Sequence, residues 1–246
     1  MSEKIKLSIV IPAYNEAERI GGTLLDVDKY ISEQDYSYEI LVVNDGSTDN
    51  TVDVVNSYKK LVNNLRLLDN AKNHGKGYVV RQGMLEAKGE WRLFMDADGS
   101  TSLDHVEKMW PMADKDYKVI IGSRDTKDAK GAKQNVAQSL KKRILGNFGN
   151  VLIQIFGVWG IWDTQNGFKM FSEEAAEKIF SKALINQWGF DIEALALARK
   201  MGYEIGIIAV SWKDDPRSHV TLKGYLNTLV ELFKIRLNLI LRKYDA

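Results

Sequence analysis

Two carboxylates directly follow a short apolar run in the stretch Leu93-Phe94-Met95-Asp96-Ala97-Asp98-Gly99. The apolar run is typical of a buried strand, and residues spaced i, i+2 on a strand point to the same face. Two like charges at one strand end are unfavourable unless a positive charge lies between them, and a hard divalent cation takes carboxylate oxygens as ligands. The stretch therefore predicts either a metal site formed by Asp96 and Asp98 or a solvated turn that ends in glycine.

The chain on both sides of this stretch alternates apolar strand patterns with helical patterns. Strands are predicted, from their apolar and β-branched runs, at residues 7–11, 38–43, 65–68, 91–95 and 119–121. Helices are predicted between them at residues 16–32, 50–62, 76–88 and 102–113. This alternation predicts an α/β fold with a mostly parallel sheet covered by helices on both faces. Ligands bind beyond the carboxyl ends of strands in such sheets, so the polar residues after each strand are candidates for a site.

The second half of the chain is less regular. We expect a polar loop at 124–138 and an uncharged stretch at 144–162. Further elements are predicted from apolar periodicity: a strand at 168–171, helices at 173–180 and 190–201, a strand at 204–212 and a terminal helix at 222–241.

The composition limits the classes of function. A net charge of +1 argues against a strongly basic nucleic-acid binder, so we expect no nucleic-acid partner. The chain has no cysteine, which excludes disulfides and thiolate metal sites and is typical of a reducing cytoplasm. Three histidines do not favour a multi-histidine zinc centre. Residues 1–6 lead into a strand pattern without a signal-peptide core, so we expect a cytoplasmic protein.

Three further polar clusters follow predicted strands. They are Pro12-Ala13-Tyr14-Asn15-Glu16, Asn44-Asp45-Gly46-Ser47-Thr48-Asp49 and His74-Gly75-Lys76-Gly77. Each alone is also typical of helix caps and turns. At one sheet edge they favour a nucleotide, because Asp45 can accept from a base or ribose and helix N-termini can meet phosphate. Lys76 lies between two glycines, whose lack of side chains would let the lysine approach a diphosphate, although the P-loop spacing is absent.

These clusters and the Asp96-Ala97-Asp98-Gly99 stretch occur in an order that resembles the family 2 glycosyltransferases with the GT-A fold. The resemblance extends over about residues 7–220 and is closest to the polyprenyl-phosphate branch, through Asp163-Thr164-Gln165-Asn166-Gly167-Phe168-Lys169-Met170-Phe171 and Trp188-Gly189-Phe190-Asp191-Ile192-Glu193. It implies a GT-A catalytic domain over residues 1–220 and a C-terminal amphipathic helix over residues 221–246. The Asp-Thr-Gln-x-Gly-Phe-Lys form is similar to that of the glucosyl members.

The resemblance implies a donor site and a metal site. A nucleotide sugar, UDP-glucose or GDP-mannose, would be bound by Pro12, Tyr14, Glu16, Asp45, Lys76 and Asp96. Asp96 and Asp98 would hold Mg²⁺ or Mn²⁺ against the diphosphate. Ser100 stands where mannose synthases have a metal-binding glutamine, so water would complete the shell.

The resemblance also implies an acceptor site. Arg124 would contact the acceptor phosphate and the reacting centre, and Arg143, Arg217 and Ser218 would close over the phosphates. His219 stands where lysine is usual, which weakens the match of that segment. Catalytic roles are expected for Asp98, Arg124 and Asp191, with Asp191 binding sugar hydroxyls or orienting Arg124. For Asp191 and Glu193 a helix surface or an ion pair is the alternative.

The expected reaction follows from the acceptor. A lipid monophosphate is mostly dianionic at pH 7 and needs no general base, unlike a sugar hydroxyl. We therefore expect inverting, metal-dependent transfer of a hexose, glucose before mannose, to a polyprenyl (dolichyl or undecaprenyl) phosphate. A sibling transferase with a saccharide acceptor and a nucleotide-sugar-binding scaffold at the membrane are the alternatives.

Two segments predict contact with a membrane. The stretch 144–162 is either a buried core helix or a helix that presents Phe148, Leu152, Phe156 and Trp159 to the bilayer or the prenyl chain. The terminal helix mixes charges with apolar residues, which suits an interface and equally suits core packing or a dimer. We expect peripheral contact with the inner face of the membrane.

Overall fold

The computed structural model of the chain describes residues 4–135, 149–213 and 222–245. Its strands, in chain order, are β1 (Leu7–Ala13), β2 (Tyr38–Asp45), β3 (Leu65–Asn70), β4 (Trp91–Met95), β5 (Val119–Ser123), β6 (Lys133–Asn135), β7 (Phe168–Ser172), β8 (Ile205–Ala209) and β9 (Ser211–Lys213). Its α-helices are α1 (Ile20–Ile31), α2 (Thr51–Tyr58), α3 (Lys76–Glu86), α4 (Trp110–Ala113), α5 (residues 149–156), α6 (Glu173–Phe180), α7 (Phe190–Lys200) and α8 (Leu222–Ile240).

Seven strands form one sheet in the order β3-β2-β1-β4-β7-β5-β8. All neighbours are parallel except β7, which runs antiparallel to both β4 and β5. Strands β6 and β9 form a separate parallel pair. The predicted α/β fold with a mixed, mostly parallel sheet is confirmed.

Both faces of the sheet are buried, as the continuous apolar strands predict. Successive residues of β1 alternate between two hydrophobic cores, because side chains on a strand point to opposite faces. Val10 packs in the core that α3, α6 and α7 cover, whereas Ile9 and Ile11 pack in the core that α1 and α2 cover.

The antiparallel direction of β7 positions the site. Phe168 at its start pairs with Met95 at the end of β4, so the loop before β7 lies at the edge where the parallel strands end. Gly167 O accepts the Asp96 amide at 3.1 Å. A Cβ on Gly167 would lie 1.9 Å from Asp96 Oδ2, so only glycine fits beside that carboxylate.

Two predicted elements are divided in the structure. The helix predicted at 102–113 is a 3₁₀ helix (Leu103–Lys108) followed by α4, because Pro111 in the first turn of α4 has no amide to donate to a preceding turn. The strand predicted at 204–212 is β8 and β9, and β9 leaves the main sheet to pair with β6. The expectation of a loop throughout 124–138 is therefore wrong at β6.

Helices α5 and α8 contact one another, with the Phe156 and Phe233 ring centres 5.1 Å apart. Leu232 and Ile235 of α8 are fully buried in the core that α7 shares. Helices α5 and α8 and the residues directly after them also leave large apolar side chains exposed. We call this set the apolar surface: Val151, Ile155, Trp159, Leu226, Val230, Phe233, Leu237, Ile240 and Leu241. No helix among the described residues has the length and apolar character to cross a bilayer.

Candidate active site

A cleft of about 690 Å³ opens at the carboxyl ends of β1, β2 and β4. The predicted site residues that line it are Pro12, Tyr14, Glu16, Asp45, Lys76, Asp96, Asp98, Arg124 and Asp191. Arg143, Arg217, Ser218 and His219 lie outside the described residues. The strand-end prediction thus brings together every predicted site residue that the structure describes.

The first turn after β1 is fixed by hydrogen bonds to the loop after β2. Asn15, which has a positive φ of 54°, receives a bond at its amide oxygen from Thr48 N at 2.8 Å and donates its own N–H to Ser47 Oγ at 2.9 Å. Glu16 forms an ion pair with Arg19, with oxygen and nitrogen 2.5 Å apart. Tyr14 lies at the mouth of the cleft with 44% of its surface exposed.

The acidic pair and one lysine form the floor of the cleft. Lys76, the first residue of α3, places Nζ 2.6 Å from Asp96 Oδ1. Burial opposes the charge on Lys76, but the carboxylates of Asp96 and Asp191 raise its pKa above the usual value. Burial and the nearby charge of Asp96 raise the pKa of Asp98. The pair therefore concentrates negative charge that a cation would relieve.

Asp45 has a structural partner that the sequence did not indicate. Its two carboxylate oxygens accept the backbone N–H groups of His74 and Gly75, at 2.7 and 2.9 Å. Burial raises the pKa of Asp45, while the two amide donors act against that rise. The residue predicted to meet a base or ribose thus also holds the turn that presents Lys76.

The two glycines that flank Lys76 allow another loop to pack on the turn. A Cβ on Gly75, which has a φ of 103°, would lie 2.3 Å from Asn186 O, and a Cβ on Gly77 would lie 2.6 Å from Ile185 O. The Tyr78 amide donates to Asn186 O at 3.1 Å. Gln187 and Trp188 of the same loop line the cleft, and neither was predicted.

Arg124 is held by a carboxylate that sequence reasoning left without a role. Asp163 Oδ2 accepts from the backbone N and Nε of Arg124 at 2.7 and 2.8 Å, and Asp163 Oδ1 accepts from Nη2 at 2.7 Å. Burial opposes the charge of Asp163, but the guanidinium holds its pKa below the usual range. The Trp212 ring centre lies 5.1 Å from the guanidinium carbon. The hydrogen bonds that orient Arg124 thus come from Asp163. Burial opposes the charge on Arg124, whereas Asp163 and the nearby charge of Asp191 raise its pKa.

Asp191 instead pairs with a buried lysine. Lys169 Nζ donates to Asp191 Oδ1 at 2.6 Å and also to Asn166 O, and Lys169 is 1% exposed. Burial raises the pKa of Asp191, while Lys169 and Lys76 act against that rise. Of the two alternatives to a functional role, the helix surface is wrong and the ion pair is confirmed. Lys169 lies in the motif 163–171, but the sequence did not indicate its partner.

Glu193 is also buried, and its contacts are structural. Its carboxylate accepts from the Leu184 and Ile185 amides at 3.0 and 2.9 Å and from Tyr244 Oη at 2.7 Å. Of the two alternatives for Glu193, the helix surface is wrong because the residue is fully buried, and the partners found for its carboxylate are backbone amides and a phenol instead of the cation of an ion pair.

The mixed seven-stranded sheet, with the acidic cleft at the carboxyl ends of its strands, has the arrangement of the GT-A fold. The chain belongs to the family Glycosyl transferase family 2, whose model matches residues 8–180. It is an enzyme of the glycosyltransferase type, and its fold is that of the GT-A proteins.

Relatives and solved structures agree with this assignment. The chain is similar to a dolichyl-phosphate beta-glucosyltransferase of Trichomonas vaginalis, with 33% identity over 244 residues, 94% of this chain and 73% of the relative. It is similar to the enzyme of the same name from Saccharomyces cerevisiae, with 37% identity over 238 residues, 89% of this chain and 70% of the relative. The crystal structure of glucosyl-3-phosphoglycerate synthase from Mycobacterium tuberculosis with Mn²⁺, UDP-glucose and phosphoglyceric acid shares the fold at a TM-score of 0.66 and 15% identity, over 95% of this chain and 79% of that chain.

Proposed function

We propose that the protein transfers glucose from UDP-glucose to the phosphate of a dolichyl or related polyprenyl phosphate, with inversion at the anomeric carbon. GDP-mannose is the second choice of donor. The names of the relatives support glucose and dolichyl phosphate. The proposal assigns residues 1–220 to the catalytic domain and the segment 221–246, which contains α8, to the membrane surface.

The observation that carries the proposal is the environment of Arg124. Its guanidinium lies in the same cleft as the Asp96 and Asp98 carboxylates, and its position is fixed by Asp163. A cleft with a metal-type acidic pair and a fixed arginine suits two anionic groups, a nucleotide diphosphate and an acceptor phosphate. A saccharide acceptor would instead need a free carboxylate base, and Asp191 is engaged with Lys169.

The residues fit a divalent cation. Asp96 and Asp98 offer hard oxygen ligands in a cleft where their like charges repel, and Mg²⁺ and Mn²⁺ take such ligands. Within 4–135, 149–213 and 222–245 no group of three or more histidine, cysteine or acidic side chains is arranged to hold a metal ion, so these two carboxylates would act with the donor phosphates and water. When bound, the ion would supply Lewis-acid neutralisation of the leaving diphosphate.

The chain's own residues would divide the work between donor and acceptor. Lys76 and the turn held by Asp45 would position the diphosphate. Arg124 would hold the acceptor phosphate, which is already a nucleophile at pH 7 because its second pKa is about 6. Attack from the face opposite the leaving group would invert the anomeric centre. Asp191 would bind sugar hydroxyls from its fixed position beside Lys169.

The apolar surface supports peripheral contact with a membrane, and we propose the cytoplasmic inner face as the place of that contact. Helix α8 lines the cleft with Gly224 and Thr228 and carries exposed apolar side chains along its length. Exposed Lys234 and Arg236 lie on the same helix and would favour anionic headgroups. A lipid phosphate in the cleft would thus leave its chain close to α8.

The experiment that tests the function incubates the purified protein with a panel of nucleotide sugars, polyprenyl phosphate and Mg²⁺ or Mn²⁺. We expect glucosyl phosphate lipid from UDP-glucose, with β configuration, and no turnover with Asp98→Asn at an unchanged melting temperature. Asp53→Asn, a change of an exposed acid on α2, is the matched control. Transfer to an oligosaccharide but not to the lipid would contradict the proposal.

A further inference from the structure

We infer that Glu231 of α8 is a positioning residue that holds the Lys76 turn in its donor-binding form. The inference rests on the proposed function for the identity of the donor. Glu231 does not line the cleft, so it would act only through the residues that it contacts. Three successive contacts connect it to Lys76.

The first contact joins α8 to the loop before α7. Glu231 Oε2 accepts the Gly189 amide at 2.7 Å, and the Gln187 amide also stabilises its carboxylate. A Cβ on Gly189 would lie 2.9 Å from Glu231 Cβ, although its φ of −78° suits any residue. A side chain at residue 189 would therefore displace the Glu231 side chain, and the Glu231 carboxylate fixes residues 187–189.

The second contact joins that loop to the Lys76 turn. Asn186 O accepts the Tyr78 amide at 3.1 Å, and Gln187 Nε2 donates to His74 O at 3.5 Å. The absence of side chains at Gly75 and Gly77 permits this approach, because a Cβ at either position would lie less than 3 Å from an atom of the loop 185–187. A displacement of the loop would therefore displace the turn.

The third contact reaches the lysine. The ring centre of Trp188 lies 5.2 Å from Lys76 Nζ, on a residue adjacent to the bonded Gly189. The ring and Asp96 together limit where the ammonium group can lie. Through these contacts a carboxylate on the proposed membrane helix determines the geometry of the donor site.

The decisive experiment measures binding of UDP to the full chain by calorimetry without lipid. We expect Glu231→Leu to weaken binding about tenfold, the effect of losing one charge-assisted hydrogen bond, while Glu231→Gln keeps an acceptor oxygen and stays within about threefold of wild type. Glu86→Leu removes an exposed acid from α3 and should leave binding unchanged. Wild-type affinity in Glu231→Leu would overturn the inference.

A second variant perturbs the same contact and can be measured if Glu231→Leu does not fold. Gly189→Ala adds only a methyl group against Glu231 and should weaken UDP binding similarly. Where Glu231→Leu folds, the effects of the two variants should not add in the double variant, because both act on one contact. Additive effects would contradict the proposed contact.

Hydrogen exchange separates this inference from the proposed function. We expect faster amide exchange in residues 73–78 of Glu231→Leu and Gly189→Ala, without any nucleotide present. Absence of UDP binding in the wild type would contradict the proposed function, whereas unchanged exchange in residues 73–78 would contradict the role of Glu231.

Discussion

Lys76 and Asp96 form an ion pair inside the cleft, with Nζ and Oδ1 2.6 Å apart. The lysine stands at the first turn of α3, where the helix dipole disfavours a cation, so the carboxylates around it compensate for an unfavourable position. The pair gives the proposed donor site a cationic group that is present before any ligand binds.

Removal of this cation should weaken donor binding. We expect Lys76→Gln to reduce the affinity for UDP about tenfold, because a charge-assisted contact to the diphosphate is lost. Calorimetry with UDP measures the effect, and Lys60→Gln, an exposed lysine, is the control. Equal affinity for UDP in Lys76→Gln and wild type would show that Lys76 does not bind the donor.

Substitution of Arg124 should affect turnover far more than donor affinity. We expect Arg124→Ala to lower kcat about 100-fold or more, the usual cost of a lost transition-state donor, with little change in UDP binding. Arg124→Lys should fail to restore activity, because an ammonium group lacks the two parallel N–H donors of the planar guanidinium that bind Asp163. Comparable losses in kcat and UDP affinity would instead assign Arg124 to the donor.

Asp163→Asn tests the support of that arginine separately. We expect a smaller loss of kcat than in Arg124→Ala, because the guanidinium remains but loses its charged partner. A parallel measurement of the KM for polyprenyl phosphate should show an increase. Wild-type kinetics in Asp163→Asn would mean that the charge of Asp163 has no part in positioning Arg124.

The apolar surface should determine vesicle binding. Val230→Ser and Trp159→Ser replace side chains that are 65% and 74% exposed, so the fold should tolerate both changes. We expect each to weaken co-sedimentation with vesicles of neutral and anionic phospholipid by several-fold, because buried apolar area drives interfacial binding. Activity on a short, water-soluble polyprenyl phosphate should persist. Undiminished sedimentation of both variants would exclude this surface from membrane contact.

Acid should remove the stabilisation provided by Glu39, on the sheet edge opposite the cleft. Burial raises the pKa of its carboxyl, but bonds from Ser8, Lys88 and Arg66 outweigh burial and leave the pKa below its usual value. The stabilisation is therefore complete above the unfolded pKa of about 4.3 and is lost as the pH falls through the lower folded pKa.

Glu39→Gln measures that stabilisation. We expect the variant to lose about 1–3 kcal/mol of unfolding free energy at pH 7 in urea, and the difference should shrink below about pH 4. Glu204→Gln changes an exposed acid and should show no such dependence. A difference that stays constant with pH would contradict the charged role of Glu39.

The sequence predicted the strand ends well because apolar runs fix where a parallel sheet ends and which residues follow. It did not predict the pairs Arg124–Asp163 and Lys169–Asp191, since an apolar run carries no strand direction and only the antiparallel β7 brings residues 163–169 to this edge. Likewise, glycine at 75 and 77 predicted space for a ligand, whereas the space is filled by the loop 185–187.

The position of β5 has a consequence for how the chain assembles during synthesis. All neighbours of β1, β2 and β3 are present once β4 is made, whereas one neighbour of β4 (β7) and both neighbours of β5 (β7 and β8) lie far downstream in the chain. Until β7 emerges, β4 and β5 each present an open edge, and such edges attract other chains. Insertion of this one strand pairs the facing edges of β4 and β5 and in the same event carries Asp163 to Arg124, while the second edge of β5 stays open until β8 follows. The nascent protein thus forms the Arg124–Asp163 pair in the same step that covers the facing edges of β4 and β5.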